Sequence, residues 1–237
     1  MSLVFACIAP HGDVDLAPEL RAAMEELGRR FEAAAPELAV VVTPHSVHVE
    51  GHFGVVTAGK VGDWETDRGA ALALRKADLP IVGISYGGND AATAEFPLDW
   101  GTEVPLTFMR ARRVVVVSPA RDLRMEEHVR LGETIAALPG RVALIASADH
   151  GHAHDPAGPY GYDSAAGFYD ALLQEILASD RLDFTTLSLC VEAAKADSLW
   201  QLLVLQGAVG ESARADVLAY AAPTYYGMLV AEVQTAA

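Results

Sequence analysis

Seven of the chain's eight histidines fall into three clusters, and each cluster follows a short apolar run. His11 stands in "IAPHGD", His45, His48 and His52 in "TPHSVHVEGH", and His150, His152 and His154 in "SADHGHAHD". Imidazole both ligates metals and moves protons near neutral pH, so grouped histidines point to one of those two uses. His11 and His45 each follow a proline. Proline ends a hydrogen-bonded ladder and restricts its neighbour to extended geometry, which presents the next side chain on a rigid backbone at a strand end. In the third cluster the histidines alternate just after Asp149, an array of which one or two members are expected to be structural. His48 reads as an outer or substrate-facing residue, His52 as a solvent-exposed one. His128, in the charged stretch "RMEEHVRLGE", reads as part of a solvated helix face.

A mononuclear centre needs more than imidazoles. Two neutral histidines and one carboxylate, with open positions left over, form the ligand set of non-haem Fe(II) oxygenases. Spacing leaves two acids open in "LCVEAAKADSLWQLLVLQGAVG". Glu192 reads equally as a solvated helix residue, and Asp197 as an N-cap or first-turn aspartate. A zinc centre that activates water for hydrolysis fits the same histidines.

The elements that must position these residues follow from the apolar pattern. Short aliphatic runs at Leu3–Ala9, Ala39–Thr43, Gly54–Ala58, Ile81–Tyr86, Val114–Ser118 and Val142–Ser147 read as strands. Amphipathic stretches at Ala17–Ala35, 66–77, Met125–Leu138, Ser164–Ala178, Asp183–Glu192 and Ser198–Gly207 read as helices. "MLVAEV" adds a last strand. Strands separated by helices imply crossover connections, so the expected fold is α/β: a single domain over 1–237, with a mostly parallel central sheet and helices on both faces. In such sheets ligands bind beyond the carboxyl ends of the strands. His11, His45 and the His150/His152 pair therefore belong at one sheet edge.

Bulk properties narrow the partners. The 237 residues carry a formal net charge of −15, which argues against nucleic acid and anionic membranes. Cys7 and Cys190 form no CxxC pair, the first residues lack a basic leader pattern, and no apolar run is long enough to span a bilayer. The expectation is a soluble cytoplasmic protein. The one concentrated basic patch is Arg110, Arg112 and Arg113. No arginine cluster near the histidine motifs argues for a carboxylated substrate.

Taken in order, "APHGD", "TPHSVH", "PLDWGTEVPLTFM", "ALIASADHGHAH" and "ADSLWQLLVLQGA" resemble the LigB-like class III extradiol ring-cleavage dioxygenases, whose superfamily includes the Memo-like proteins. The resemblance covers nearly the whole chain. It implies an Fe(II)-dependent oxidoreductase that opens a catechol-type aromatic beside its hydroxyl pair with O2. Zinc or manganese are the alternative metals in purified protein, and a homo-oligomer is the expected assembly. It also implies that His11 and His45 bind iron, and that His152 moves protons beside the metal, with His150 as the alternative. The family's carboxylate ligand falls nearest Asp197, ahead of the Gly207-Ala208 pair, rather than on Glu192. Asp13 and Asp149 are placed to orient the imidazoles. Two departures stand out: an aspartate where the family has a glutamate, and Trp100 where relatives commonly have a histidine. The rival implied by the same superfamily is a Memo-like protein that binds a metal or ligand without dioxygenase activity. Relatives of that kind tend to carry a cysteine where this chain has "KADS".

Overall fold

The computed structural model describes residues 3–87 and 90–234. Its first part runs β1 (Leu3–Ala9), α1 (Pro18–Ala34), β2 (Leu38–Val42), β3 (Phe53–Val56), β4 (Lys60–Val61), β5 (Trp64–Thr66), α2 (Arg68–Leu74) and β6 (Ile81–Ile84). Then come β7 (Glu95–Phe96), α3 (Trp100–Phe108), β8 (Arg113–Ser118), α4 (Met125–Ala136), β9 (Val142–Ser147) and α5 (Ser164–Ala178). The chain closes with α6 (Val191–Ala194), α7 (Leu199–Val209), β10 (Arg214–Ala221) and β11 (Met228–Gln234).

β2 and β9 are buried at every position, so neither has a face that tolerates water. Such strands belong inside a sheet covered on both sides. Alternate residues divide accordingly. Ala39 and Val41 pack with Leu20, Met24, Leu27 and Phe31 of α1, while Val40 and Val42 pack with Leu131, Leu173, Leu202 and Leu203 from α4, α5 and α7. The sheet order is β10-β11-β1-β9-β2-β8-β5-β4-β7, with β3 joining β8 and β6. β1, β9, β2 and β8 are mutually parallel neighbours, and β10, β11 and β3 attach antiparallel. β9 lies between β1 and β2, with Ala9 opposite Ser147 and Val42 opposite Ala146. Three carboxyl ends therefore lie level and side by side.

Several elements differ from the sequence pattern. α3 is a helix despite Pro105, because Asp99 caps it by accepting from the Thr102 backbone N–H. The stretch read as a helix over Asp183–Glu192 is a 3-10 segment, Phe184–Leu189, followed by the short α6. The edge strand β10, with no fully buried position, lacked a readable alternation. His128 is also a correction: it is fully buried, not solvated. It shares the α4 stripe of Leu131, Gly132 and Ile135, meets the Phe53 ring edge-on at 4.9 Å between centroids, and sets Nδ1 3.1 Å from the Arg124 carbonyl. Charged neighbours hid that periodicity. Among the described residues no helix is long and apolar enough to cross a membrane.

α7 is apolar around almost its whole circumference and buried, so it needs cover on every side. α4 supplies one side at unusually close range. A Cβ at Gly132 would lie 1.9 Å from the Val204 carbonyl oxygen, and one at Gly207 would lie 1.9 Å from that of Val129. This contact sets the position of α7 and of the residues leading into it. Gly132→Ala is expected to lower unfolding free energy by about 2 kcal/mol or more. Urea denaturation measures this; an unchanged midpoint would mean that the helices do not depend on this approach.

Candidate metal centre and its cleft

Each loop leaving the three aligned strands delivers one group of side chains. His11 comes two residues after β1, His45 three after β2, and Asp149, His150 and His152 follow β9. The Nε2 atoms of His11 and His45 face each other at 2.9 Å. Asp197 Oδ2 lies 3.6 Å from the first and 3.8 Å from the second. Ligand atoms of these three residues lie within 4.8 Å of one another, a spacing one ion can bridge. Asp197 makes no helix-capping bond, and its buried Oδ1 has no hydrogen-bond partner among the described residues. Glu192 lies exposed on α6, apart from the cluster.

The first turn of α3 holds both histidines. Ser147 donates its one hydroxyl proton to the Gly101 carbonyl at 2.5 Å, so its oxygen accepts from His11 Nδ1–H at 3.1 Å. That network assigns the neutral His11 tautomer with a free Nε2 lone pair, the form a metal ligand requires. Asp99 accepts from the Thr43 hydroxyl at 2.7 Å, and the Thr43 oxygen accepts from the His45 backbone N–H at 3.2 Å. Gly101 is needed for space: a Cβ there would lie 2.3 Å from Thr43 Oγ1. Asp149 supports His11 from the other side, its Oδ1 accepting from the His11 N–H at 3.2 Å and its Oδ2 lying 3.4 Å from Nε2. The Asp13 carboxylate instead accepts from the Asp15 N–H.

The loop after β9 separates its three histidines. His150 is fully buried, bonds Ser198 Oγ through Nδ1 at 3.0 Å, and does not line the cleft. His152 lines the cleft. Its Nδ1 donates to the His150 carbonyl at 2.6 Å, which leaves Nε2 as a lone pair 3.9 Å from Asp197 Oδ2. His154 turns away to Asp170, 2.8 Å from its Oδ2. Asp170, buried on α5, also accepts from the Gly151 N–H and the Tyr220 hydroxyl, both at 2.8 Å, and so pins the loop that carries His152. His48 is exposed and bonds the Pro44 carbonyl, and exposed His52 bonds that of Glu50.

The electrostatics are lopsided. Burial alone would lower the His11 pKa, but Asp149 and Asp197 override it and raise it to about 9. Burial, then the neighbouring His11 charge, lowers that of His45 to about 4. Burial likewise lowers His150 to about 4 and raises the Asp149 carboxyl. Asp197 is lowered: burial opposes the shift, and His11, His152 and His45 together exceed it.

Above the cluster opens a cleft of about 560 Å³, a size suited to a small organic ligand. Its walls are aromatic. Trp100 lies over His45 at 4.3 Å between centroids, and Tyr160, Tyr225 and Tyr226 surround His152 at 6.2, 5.9 and 5.8 Å. Arg121 and Lys195 also line it. The sequence reading did not pick out Ser147, Asp170, the tyrosines or these two cations as site residues. Only the acid-capped start at Asp99, inside the quoted "PLDWGTEVPL" stretch, signalled a role for α3.

Residues 6–231 match the model of a protein family described as the catalytic LigB subunit of aromatic ring-opening dioxygenase. A crystal structure of an uncharacterised protein from Escherichia coli K12 shares the fold, with a TM-score of 0.65 and 16% sequence identity, over 97% of this chain and 99% of that one. No curated protein sequence matches the chain.

The charge pattern has a measurable consequence without metal. A histidine held below its usual pKa stays neutral while the unfolded chain takes up a proton, so its contribution falls as pH drops from 6.5 towards 4. His11, raised instead, contributes fully below 6.5 and loses that contribution as pH rises through about 9. In metal-free protein, His150→Gln should flatten the decline of unfolding free energy between pH 6.5 and 4. A slope identical to that of the unaltered protein would show that the fold does not hold His150 neutral.

Proposed function

The chain belongs to the LigB family of aromatic ring-opening dioxygenases, and from that premise we propose that it is an Fe(II)-dependent extradiol dioxygenase acting on a catechol-type aromatic. The observation that carries this reading is the His11–His45–Asp197 cluster, open on one side to an aromatic-walled cleft with His152 across it. The donor set fits a divalent metal: two imidazole nitrogens 2.9 Å apart and a buried carboxylate with one oxygen unpartnered. His11, His45 and Asp197 would hold such an ion. Iron(II) held there would supply the electron transfer that couples the aromatic ring to O2.

The chain's own residues prepare the substrate. Trp100 and the tyrosine group offer flat faces to an aromatic ring, which fixes its plane. His152 Nε2, with its lone pair turned into the site, takes a phenolic proton and returns one as the ring opens next to the hydroxyl pair. The bond from Nδ1 to the His150 carbonyl fixes that tautomer and steadies the imidazolium while it carries the proton. Asp170 keeps the loop in register from behind. Cys190, which would suit a metal-binding relative without dioxygenase activity, donates instead to the Leu187 carbonyl at 3.6 Å and lies outside the cluster.

Protein loaded anaerobically with Fe(II) is expected to consume one O2 per catechol and form a yellow ring-fission product, followed with an oxygen electrode and by absorbance. His45→Ala should abolish stoichiometric iron binding, while His152→Ala should keep iron and lose about a hundredfold or more in kcat. Absence of O2 uptake across catechols, protocatechuate and aminophenols would refute the assignment.

A further inference from the structure

Tyr226 stands in the turn between β10 and β11, among the residues that line the cleft above the metal cluster. Its hydroxyl oxygen accepts from the Asp13 backbone N–H at 3.2 Å, two residues beyond His11. The ring lies against Gly12, where a Cβ would come 2.2 Å from Tyr226 Cε2. The glycine that follows His11 therefore makes room for this phenol and keeps it beside a candidate ligand. A phenol has one proton to give as well as lone pairs with which to accept. The Tyr220 hydroxyl donates to Asp170, and that of Tyr169 pairs with Ser198. Among the described residues the Tyr226 proton reaches no acceptor, although its oxygen is anchored.

The turn is tied to the loop of His152 on both sides. The His150 N–H donates to the Gly227 carbonyl at 2.8 Å, the Gly227 N–H to that of Gly151 at 3.0 Å, and the His154 N–H to that of Tyr225 at 3.1 Å. A Cβ at Gly227 would lie 1.9 Å from Asp170 Oδ2, so the turn also packs closely on that buried carboxylate. The rings of Tyr226 and His152 are thereby set 5.8 Å apart between centroids, 33° from parallel, on walls of one cleft.

We propose that Tyr226 is a catalytic hydrogen-bond donor, its hydroxyl donating to the substrate oxygen whose proton His152 removes. This rests on the ring-cleavage reading. The proton passes from the substrate hydroxyl to His152 Nε2, the bonding pair stays on the substrate oxygen, and the Tyr226 proton stays on Tyr226. A phenol ionises near pH 10, as a rough guide, so it remains a donor at neutral pH. A donor fixed where charge develops needs no reorganisation when the charge appears, and an anionic acceptor makes the bond stronger than a neutral one. Asp149 and Asp197 border the same cleft and oppose negative charge there, so a donor on that wall offsets their field.

The test uses 4-nitrocatechol, whose absorbance reports its ionisation, bound without O2 to the Fe(II)-loaded protein, alongside O2 uptake on catechol. Tyr226→Phe keeps the ring against Gly12 and removes only the hydroxyl. The variant should bind iron with the stoichiometry of the unaltered protein, raise the apparent pKa of the bound nitrocatechol by about one unit, and lower kcat about tenfold with a smaller change in KM. Loss of iron would mean that Tyr226 acts on the His11 loop instead, and would overturn the donor role. If catechol is consumed and the nitrocatechol pKa is the same in both proteins, the donor role is refuted and the reaction stands. If no catechol is consumed but the Tyr226-dependent pKa difference remains, the ring-cleavage reading falls and the hydrogen bond stands. A nitrocatechol spectrum unaltered by the protein would sink both.

Discussion

Two imidazole nitrogens held 2.9 Å apart need a hydrogen or a cation between them. With both lone pairs inward the rings repel, so the contact requires an N–H of one ring donating to the other or a bound cation. The pKa shifts of the two rings diverge: Asp149 and Asp197 override burial and raise His11 to about 9, while burial and then the His11 charge lower His45 to about 4. Much of the surrounding structure keeps this contact in place. The level ends of β1, β9 and β2 bring the loops together, Ser147 and Gly101 turn His11, and Thr43 and Asp99 hold the backbone of His45.

That dependence explains why α3 matters although it gives no ligand. Its first turn reaches His11 through Ser147 and the His45 backbone through Thr43, and Trp100 on the same turn packs on the His45 ring and forms a wall of the cleft. A short helix with a proline in its second turn is a weak local element. Here its anchoring comes from Asp99, which accepts three hydrogen bonds, two of them from Thr102 and one from Thr43. α7 plays the matching part on the opposite face, where the close glycine contact with α4 fixes the segment that presents Asp197 and Trp200.

The histidines at strand ends and the sheet that gathers them were legible in the sequence because both rest on local pattern: apolar runs, Pro-His pairs and helical spacing. What was not legible depends on contacts between distant segments. Spacing alone left Glu192 and Asp197 equal, and the structure separates them because the chain reverses at Lys195 and turns Asp197 towards the histidines. His150 and His152 likewise differ by one alternation in sequence but by a whole environment in space, Ser198 for one and the open cleft for the other. Asp170 sits in an ordinary amphipathic helix, and only the return of β10 and the histidine loop makes it a hub. His128 misled because charged neighbours outweighed its apolar spacing.

Charge balance joins these observations. Around His11 the fold buries two carboxylates, Asp149 and Asp197, at 3.4 and 3.6 Å. With His11 protonated and both acids ionised the buried group carries one net negative charge; with a divalent ion and neutral imidazoles it carries none. Buried charge is costly unless compensated, so the ion-bound state is the better balanced of the two. Binding an ion must expel the His11 proton, which ties metal affinity to pH: affinity weakens as acidity rises and the proton competes for the same nitrogen.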